Sequence, residues 1–211
     1  MPRVTKIIDV VRNPGLEAWR RRVGDEEAER IGLESMAHGT LVHNHCEMLL
    51  RGENLMMVLA RAGAAGASQA AIHSITAFAG WIRETKPKVL EIEKLVWAQM
   101  DMELPSGTLD WAGTLDFMVD IDGVQWIYDL KTNKNHSPSF ALQLAAYGMA
   151  LHEMNEWDGN VSVIRIPNDS PNRVIERRFT QDELKEAGLT FTICVELYQW
   201  RERHKNDWKT G

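Results

Sequence analysis

Apolar and polar residues alternate with a period of two along residues 113–132, GTLDFMVDIDGVQWIYDLKT, and this pattern predicts two β-strands. Asp122-Gly123 divides the run and is a strong hairpin signal, because a two-residue type I′ turn needs positive φ at both central positions. We therefore expect a hairpin of strands 113–120 and 124–131. Its core face would consist of Leu115, Phe117, Val119, Ile121, Val124, Trp126, Tyr128 and Leu130.

Periodic apolar positions and capping residues predict the other elements. Ser137-Pro138 supplies an N-cap and a first-turn proline for one helix, and Thr180 with Glu183 forms a capping box before another. In chain order we expect a short helix capped by Thr5, a helix from about residue 16, helices over 36–51 (beginning near Gly39) and 68–83, a strand over 88–100, the hairpin, a helix over 138–153, strands over 161–166 and 173–179, and a long terminal helix. This order fits an α/β or α+β layer with one mixed sheet flanked by helices.

The size and composition of the chain agree with one domain over residues 1–211 that buries a substantial core. Hydrophobic residues make up 44% and charged residues 26%, as in ordinary water-soluble proteins. No apolar run approaches the roughly 20 residues of a membrane span, and the N-terminus lacks the apolar region of a signal peptide. Cys46 and Cys194 make no disulfide framework, which indicates a cytoplasmic protein.

The net charge of −6 argues against a nucleic-acid coat protein, whose phosphate contacts need an excess of Lys and Arg. It leaves room for an enzyme that holds DNA in a local basic groove and then releases it. Basic clusters occur at Arg20-Arg21-Arg22, at Arg173 with Arg177-Arg178, and from residue 201 to 209. We expect each cluster to be a solvated face.

The polar face of the predicted hairpin collects three charged residues at one end. With Ile121 opposite Val124, Asp116 faces Asp129, and Lys131 follows on the same face. Because like charges opposite each other destabilise a ladder, the two acids call for a bound cation or a raised pKa. Mg²⁺ is held by one or two carboxylates with waters and phosphates, and a nearby amine can orient or deprotonate a water or stabilise developing charge. The pattern suits metal-assisted phosphodiester hydrolysis, and the alternative is an exposed strand face with a surface ion pair.

Four further polar positions have both a structural and a functional interpretation. Glu93, on the strand before the hairpin, is either a solvated edge residue or a third acid of an oxygen-rich site. Gln143 and Tyr147 share one helix face at i and i+4, as a surface pair or as part of the site. His43 is a structural histidine or a ligand, and Glu47 one turn later could be its partner.

Taken in order along the chain, these elements resemble the PD-(D/E)xK nuclease superfamily, in particular its RecB-like branch, which includes phage exonucleases and the CRISPR-adaptation exonucleases. The matching elements are GTLVH with His43, LEIEKLV with Glu93, AGTLD with Asp116, YDLKT with Asp129 and Lys131, and QLAAY with Gln143 and Tyr147. The resemblance implies an α/β fold, a restriction-endonuclease-like mixed sheet flanked by helices.

The same resemblance implies a role for each matched residue. Mg²⁺ or Mn²⁺ would be bound by Asp116, Asp129, Glu93, His43 and the backbone carbonyl of Leu130. Lys131 would serve the attacking water, while Gln143 and Tyr147 would steady the site or the DNA backbone. Many relatives also hold an iron–sulfur cluster with four cysteines, but two cysteines cannot supply four thiolates, so we expect no cluster and a protein of the phage type.

The sequence thus predicts a metal-dependent deoxyribonuclease, an exonuclease of phage-type recombination or DNA processing. Its partners would be DNA and a recombination or single-strand-annealing protein, in the host cytoplasm if a phage encodes it. Two alternatives stay open: an endonuclease of the same fold, and a catalytically idle DNA-binding or assembly subunit that keeps the fold.

Overall fold

The computed structural model describes residues 1–11, 13–101, 107–154, 159–170 and 172–207, so part of the expected 1–211 domain lies outside the described residues. Their helices and strands are, in chain order, α1 (Val4–Ile8), α2 (Pro14–Val23), α3 (Asp25–Leu50), α4 (Leu55–Ala64), α5 (Gln69–Thr85), β1 (Lys88–Asp101), β2 (Thr108–Ile121), β3 (Val124–Lys131), α6 (Ser139–Glu153), β4 (Asn160–Arg165), β5 (Ile175–Arg178) and α7 (Gln181–Arg203). None of the described helices is both long enough and apolar enough to cross a membrane.

The strands form one mixed sheet in the order β1-β2-β3-β4-β5. Neighbouring strands are antiparallel except β3 and β4, which are parallel. A parallel pair needs a crossover connection, and α6 supplies it between β3 and β4. The prediction of an α/β fold with a mixed sheet and flanking helices is therefore confirmed.

Apolar side chains are buried on both faces of this sheet. One core joins sheet residues such as Trp111 to α1, α6 and α7, and the other joins residues such as Phe117 to α3, α4 and α5. The prediction of one core face and one polar face for the hairpin is therefore wrong, since Met118 and Ile127 on the polar face are buried in the first core. Strands next to a parallel neighbour are usually covered on both faces, which explains the difference.

Two members of the predicted core face also lie elsewhere. Leu115 packs in the first core, with α6, rather than with Phe117 in the second. Val124 is 41% exposed beside the turn. The hairpin thus contributes to two cores, and the strand segment near Asp116 passes from one to the other.

The apolar pattern predicted the starts of the first helices poorly. α3 begins at Asp25 instead of near Gly39, with three acidic residues in its first turn that suit the positive end of the helix dipole. The expected cap at Thr5 is wrong, because no side chain caps α1. α4 was not predicted as a separate helix, although Asn54 caps it by accepting a hydrogen bond from the Met56 N–H at 2.9 Å.

The predicted starts of the last two helices agree better with the structure. α6 begins at Ser139, one residue later than expected, and the prediction of Ser137 as its N-cap is wrong, because Pro138 holds that position and no side chain of the described residues caps the helix. Ser137 Oγ nevertheless accepts a hydrogen bond from the Ser139 N–H at 3.3 Å. At α7 the capping box is confirmed, with Thr180 and Glu183 each accepting a hydrogen bond from the backbone N–H of the other. The capping box was therefore a good local signal.

Candidate active site

The candidate site lies where the hydrogen-bonded ladder between β2 and β3 ends. The ladder has the expected register, from Ile121 opposite Val124 to Phe117 opposite Tyr128. Asp116 and Asp129 are the next residues along, beyond the last of these pairs. From there β3 continues beside β4, with Lys131 opposite Arg165. The two acids therefore lie where one strand has lost its antiparallel neighbour.

Asp116 takes over the backbone hydrogen bond that the ladder no longer makes. Its Oδ2 accepts a hydrogen bond from the Leu130 N–H at 2.6 Å, which is short and charge-assisted. The same oxygen lies 3.7 Å from His43 Nδ1 on α3. Asp116 thus connects the end of β3 to the helix that covers it.

Asp129 is buried with Lys131 as an ion pair. Lys131 Nζ donates a hydrogen bond to Oδ1 at 2.8 Å, and it lies 2.7 Å from Oδ2 without the geometry of a second hydrogen bond. Oδ2 is buried and has no hydrogen-bond donor among the described residues. The ammonium 2.7 Å away compensates much of the charge on this oxygen, which keeps a free acceptor site for a further donor or cation.

The charges of the two residues follow from this burial. Burial raises the pKa of Asp129 to about 6, while Lys131 opposes the shift and Asp116 adds to it. Burial alone would lower the pKa of Lys131, but the carboxylates of Asp129 and Asp116 outweigh it and the pKa is raised. One raised acid agrees with the expectation from sequence, although desolvation is a larger cause than the like charge. At neutral pH the pair is a carboxylate and an ammonium.

Glu93 reaches this region through an unusual backbone conformation. It lies between Ile92 and Lys94, which pair with residues on either side of Asp116, and its φ is +52°. A left-handed conformation in a non-glycine residue costs on the order of 1 kcal/mol, and such strain often marks functional positions. Burial raises the pKa of the Glu93 carboxyl, and the charges of Asp116 and Glu47 add to the shift. The acid therefore lies close enough to Asp116 to be affected by it.

A pocket collects four of the five predicted metal ligands, all but Asp129. Its lining includes His43, Glu93, Asp116 and Leu130. Glu47 lines it too, although sequence reasoning treated Glu47 only as a partner of His43. The signal was present, because residues four apart on a helix share a face.

Glu47 also brings a cation to the rim of the pocket. Its Oε1 accepts a hydrogen bond from Arg51 Nη2 at 2.6 Å, and both side chains are partly exposed. The pocket therefore has three acids. Glu47 is paired with Arg51 at the surface, and Asp116 accepts a hydrogen bond from the backbone.

Gln143 and Tyr147 lie on α6 and line a different pocket, together with Arg3 and Thr114. Gln143 Nε2 donates a hydrogen bond to Tyr147 Oη at 2.9 Å. Burial raises the pKa of the Tyr147 hydroxyl, with Asp129 adding to the shift, so the hydroxyl keeps its proton. The tyrosine ring needs the space at Gly113, where a Cβ would lie 2.6 Å from Cε1.

The donor set suits a divalent metal by type but is not gathered into a metal cage. Carboxylates, an imidazole and the unsatisfied Oδ2 of Asp129 are the kinds of ligand that Mg²⁺ and Mn²⁺ accept. Among the described residues, no three His, Cys, Asp or Glu side chains are close enough together to hold an ion as they stand. Lys131 holds Asp129 instead, so an ion would have to compete with the ammonium.

The chain is similar to known proteins in sequence and in fold. The family model of the PD-(D/E)XK nuclease superfamily matches residues 16–204. A solved structure from Eubacterium rectale, described as a "putative exonuclease", has a TM-score of 0.52 at 12% identity, over 82% of this chain and 69% of that chain. The structure of SSO0001 covers 73% of each chain at 14% identity, and its TM-score of 0.35 supports no conclusion. No curated protein matches the sequence.

Proposed function

Because the chain belongs to the PD-(D/E)XK nuclease superfamily, we propose that it is a divalent-metal-dependent deoxyribonuclease that hydrolyses phosphodiester bonds. The observation that supports this most strongly is the buried Asp129–Lys131 pair beside Asp116, with one carboxylate oxygen left without a donor. A surface ion pair would not need full burial of its acid, and Asp129 is fully buried.

The metal ligands in this proposal are Asp116, Asp129, Glu93, His43 and the backbone carbonyl of Leu130. A bound Mg²⁺ or Mn²⁺ would supply Lewis-acid stabilisation of the charge on the phosphate. The unsatisfied Oδ2 of Asp129 is the oxygen best suited to turn toward such an ion.

Lys131 acts in this scheme as a cation. Its raised pKa favours a protonated amine, which can donate a hydrogen bond to the oxygen of the attacking water and can stabilise charge on the scissile phosphate. Gln143 and Tyr147 are positioning residues: the amide orients the hydroxyl, and the hydroxyl keeps its proton as a donor. In this scheme the hydroxyl donates a hydrogen bond to the DNA backbone.

We further propose that the enzyme is an exonuclease of phage-type recombination or DNA processing; the Eubacterium rectale protein of similar fold is described as a "putative exonuclease". A recombination or single-strand-annealing protein would be its partner in the cytoplasm. The intact set of Asp116, Asp129 and Lys131 favours an active enzyme over an idle subunit, because an idle site would need none of them.

Digestion of end-labelled linear DNA and closed-circular DNA, with Mg²⁺, Mn²⁺ or a chelator, tests the proposal. We expect linear DNA to be degraded from its ends only with metal, and closed circles to persist. Asp129→Asn should abolish cleavage, whereas the matched change Asp122→Asn, at an exposed turn residue, should not. Nicked circles would favour the endonuclease alternative, and cleavage by the chelated protein would refute the metal requirement.

A further inference from the structure

A large cleft opens beside the candidate site and has no role in the chemistry described so far. It has a volume of about 1050 Å³ and lies between α2, the middle of α3 and the segment 132–140 that leads from β3 into α6. The residues that matter for what it could hold are Trp19 and Arg22 on α2, and Lys134, His136 and Phe140 on the segment.

The cleft borders two neighbours of Lys131. Thr132, the next residue along the chain, lines the cleft. Phe140 lines it too, and Lys131 Nζ lies 5.6 Å from the centroid of the Phe140 ring, as a cation over an aromatic face. A molecule held in the cleft would therefore extend toward the ammonium group of the candidate site.

The charge of the cleft is opposite to that of the whole chain. Among the described residues that line it there is no Asp or Glu, although the chain has 30 acids and 24 bases. Lys134 Nζ lies 3.0 Å from Asp169 Oδ2, but both side chains are strongly exposed and such pairs are weak in water. Arg165 Nη1 donates a hydrogen bond to the backbone carbonyl of Lys134, so its guanidinium lies beside the segment that lines the cleft. The cleft therefore favours an anionic ligand.

The aromatic residues indicate which kind of anion. Trp19 is only partly buried, and no aromatic ring or cation of another described residue stacks on its indole. His136 is exposed and stacks on Phe179, with ring centroids 6.1 Å apart. Exposed aromatic faces combined with cations are typical of sites that bind unpaired bases along a backbone of phosphates. The volume is near the upper limit of small-ligand pockets, which suits a few unpaired nucleotides and is too small for a duplex.

We propose that this cleft binds the single-stranded end of a DNA substrate, with a base stacked on Trp19 and phosphates held by Arg22 and Lys134, so that the strand passes over Phe140 to Lys131. The proposal rests on the proposed nuclease function, because it names the form of DNA that the same site accepts. The substrate class is unpaired DNA, and a blunt duplex would have to open before its end could enter.

Fluorescence anisotropy with labelled oligothymidine, in the presence of chelator, tests the cleft without any cleavage. Trp19→Ala should weaken binding roughly 5- to 150-fold, the usual loss for one stacked base, and Trp19→Phe should restore most of it. Trp97→Ala is the matched control, because Trp97 is also exposed but lies on β1, outside the cleft. Equal affinities for wild type and Trp19→Ala, with both folded by circular dichroism, would overturn the proposal.

A second variant tests the charge without touching a partly buried ring. Lys134→Ala should weaken binding and lower the salt dependence by about 0.7 in the slope of log affinity against log salt, as for one lost contact to single-stranded DNA. Lys205→Ala is its control, since Lys205 is also exposed in an ion pair, with Glu202 at 3.2 Å. A change in slope for Lys205→Ala of the same size would refute the assignment.

Cleavage assays separate this proposal from the proposed function. With metal, Trp19→Ala should raise KM for single-stranded DNA and leave kcat nearly unchanged. If the wild type binds oligothymidine through Trp19 but cleaves nothing, the nuclease function fails and the cleft stands. If the wild type cleaves DNA and the cleft variants match it in KM, the cleft proposal fails alone. Tighter binding of oligouridine than of oligothymidine would also overturn it, in favour of RNA.

Discussion

Asp129→Asn should make the metal-free protein more stable at pH 7, although it removes a charge from an ion pair. Asparagine keeps an oxygen that can accept the hydrogen bond from Lys131 Nζ, which is 2.8 Å from Oδ1 in the wild type. What the substitution removes is the ionisation of a fully buried carboxyl. The expected gain follows from the pKa of that carboxyl in the two states.

The pKa of Asp129 is about 6 in the folded protein, against an ordinary value of 3.8. Each unit of pKa difference is worth 1.36 kcal/mol, so ionisation at pH 7 costs the folded state about 3 kcal/mol of stability relative to the unfolded state. Because the pKa of Asp129 is higher in the folded state, the folded protein binds more protons than the unfolded protein between about pH 4 and pH 6. Stability from this group is complete below about pH 4 and is lost as the pH rises through about 6.

Urea denaturation between pH 4 and pH 8, in chelator, measures this difference. We expect the stability of the wild type to fall across the window relative to Asp129→Asn, with a gap of up to about 3 kcal/mol at pH 7 and little gap near pH 4. Asp122→Asn, in the exposed turn, should follow the wild type at every pH. An Asp129→Asn protein less stable than the wild type at pH 7 would refute the reasoning, because the ion pair would then outweigh desolvation.

Three further predictions concern single side chains. Lys131→Ala should reduce single-turnover cleavage by roughly 10²–10³, the usual loss for one group that stabilises charge in the transition state, and leave DNA affinity nearly unchanged; cleavage near the wild-type rate would make Lys131 a structural partner of Asp129 only. Gly113→Ala should lower stability by about 1–3 kcal/mol, because its Cβ would lie 2.6 Å from Tyr147 Cε1, and an unchanged melting curve would contradict that packing. Thr180→Ala removes one half of the capping box at α7 and should cost about 0.5–2 kcal/mol in denaturant titrations, whereas Thr190→Ala, at an exposed position within the same helix, should cost less.

Local chemistry was enough to predict the hairpin and several helix starts. Asp122-Gly123 set the register of β2 against β3, because few residue pairs tolerate positive φ at both positions, and Asp122 has φ of +54° and Gly123 of +81°. Thr180 and Glu183 likewise marked the start of α7 through bonds within one turn. The order of helices and strands along the chain also predicted the mixed sheet, since alternating elements favour a layered α/β fold.

The environment of the acids was decided only by the tertiary structure. The sequence pattern assigned Asp116 and Asp129 to an open polar face, because it could not show that α6 covers that face as well. Burial is a property of what packs on a strand from elsewhere in the chain, and it is the main cause of the raised pKa of Asp129.

Several contacts between distant segments were not predicted from the sequence. The Leu130 N–H donates to the Asp116 carboxylate because the ladder ends before this pair. The left-handed conformation of Glu93 lies inside a strand whose sequence shows no sign of it. Glu47 lines the pocket because α3 packs beside the end of the strand. Trp19 lines the same cleft as the segment after Lys131 because α2 packs there as well. The sequence by itself determined the hairpin turn and the start of α7, through chemistry that acts within a few residues, and its order of motifs supplied the candidate residues. The fold decided which of them are buried, paired and close together, because those properties depend on residues far apart in the chain.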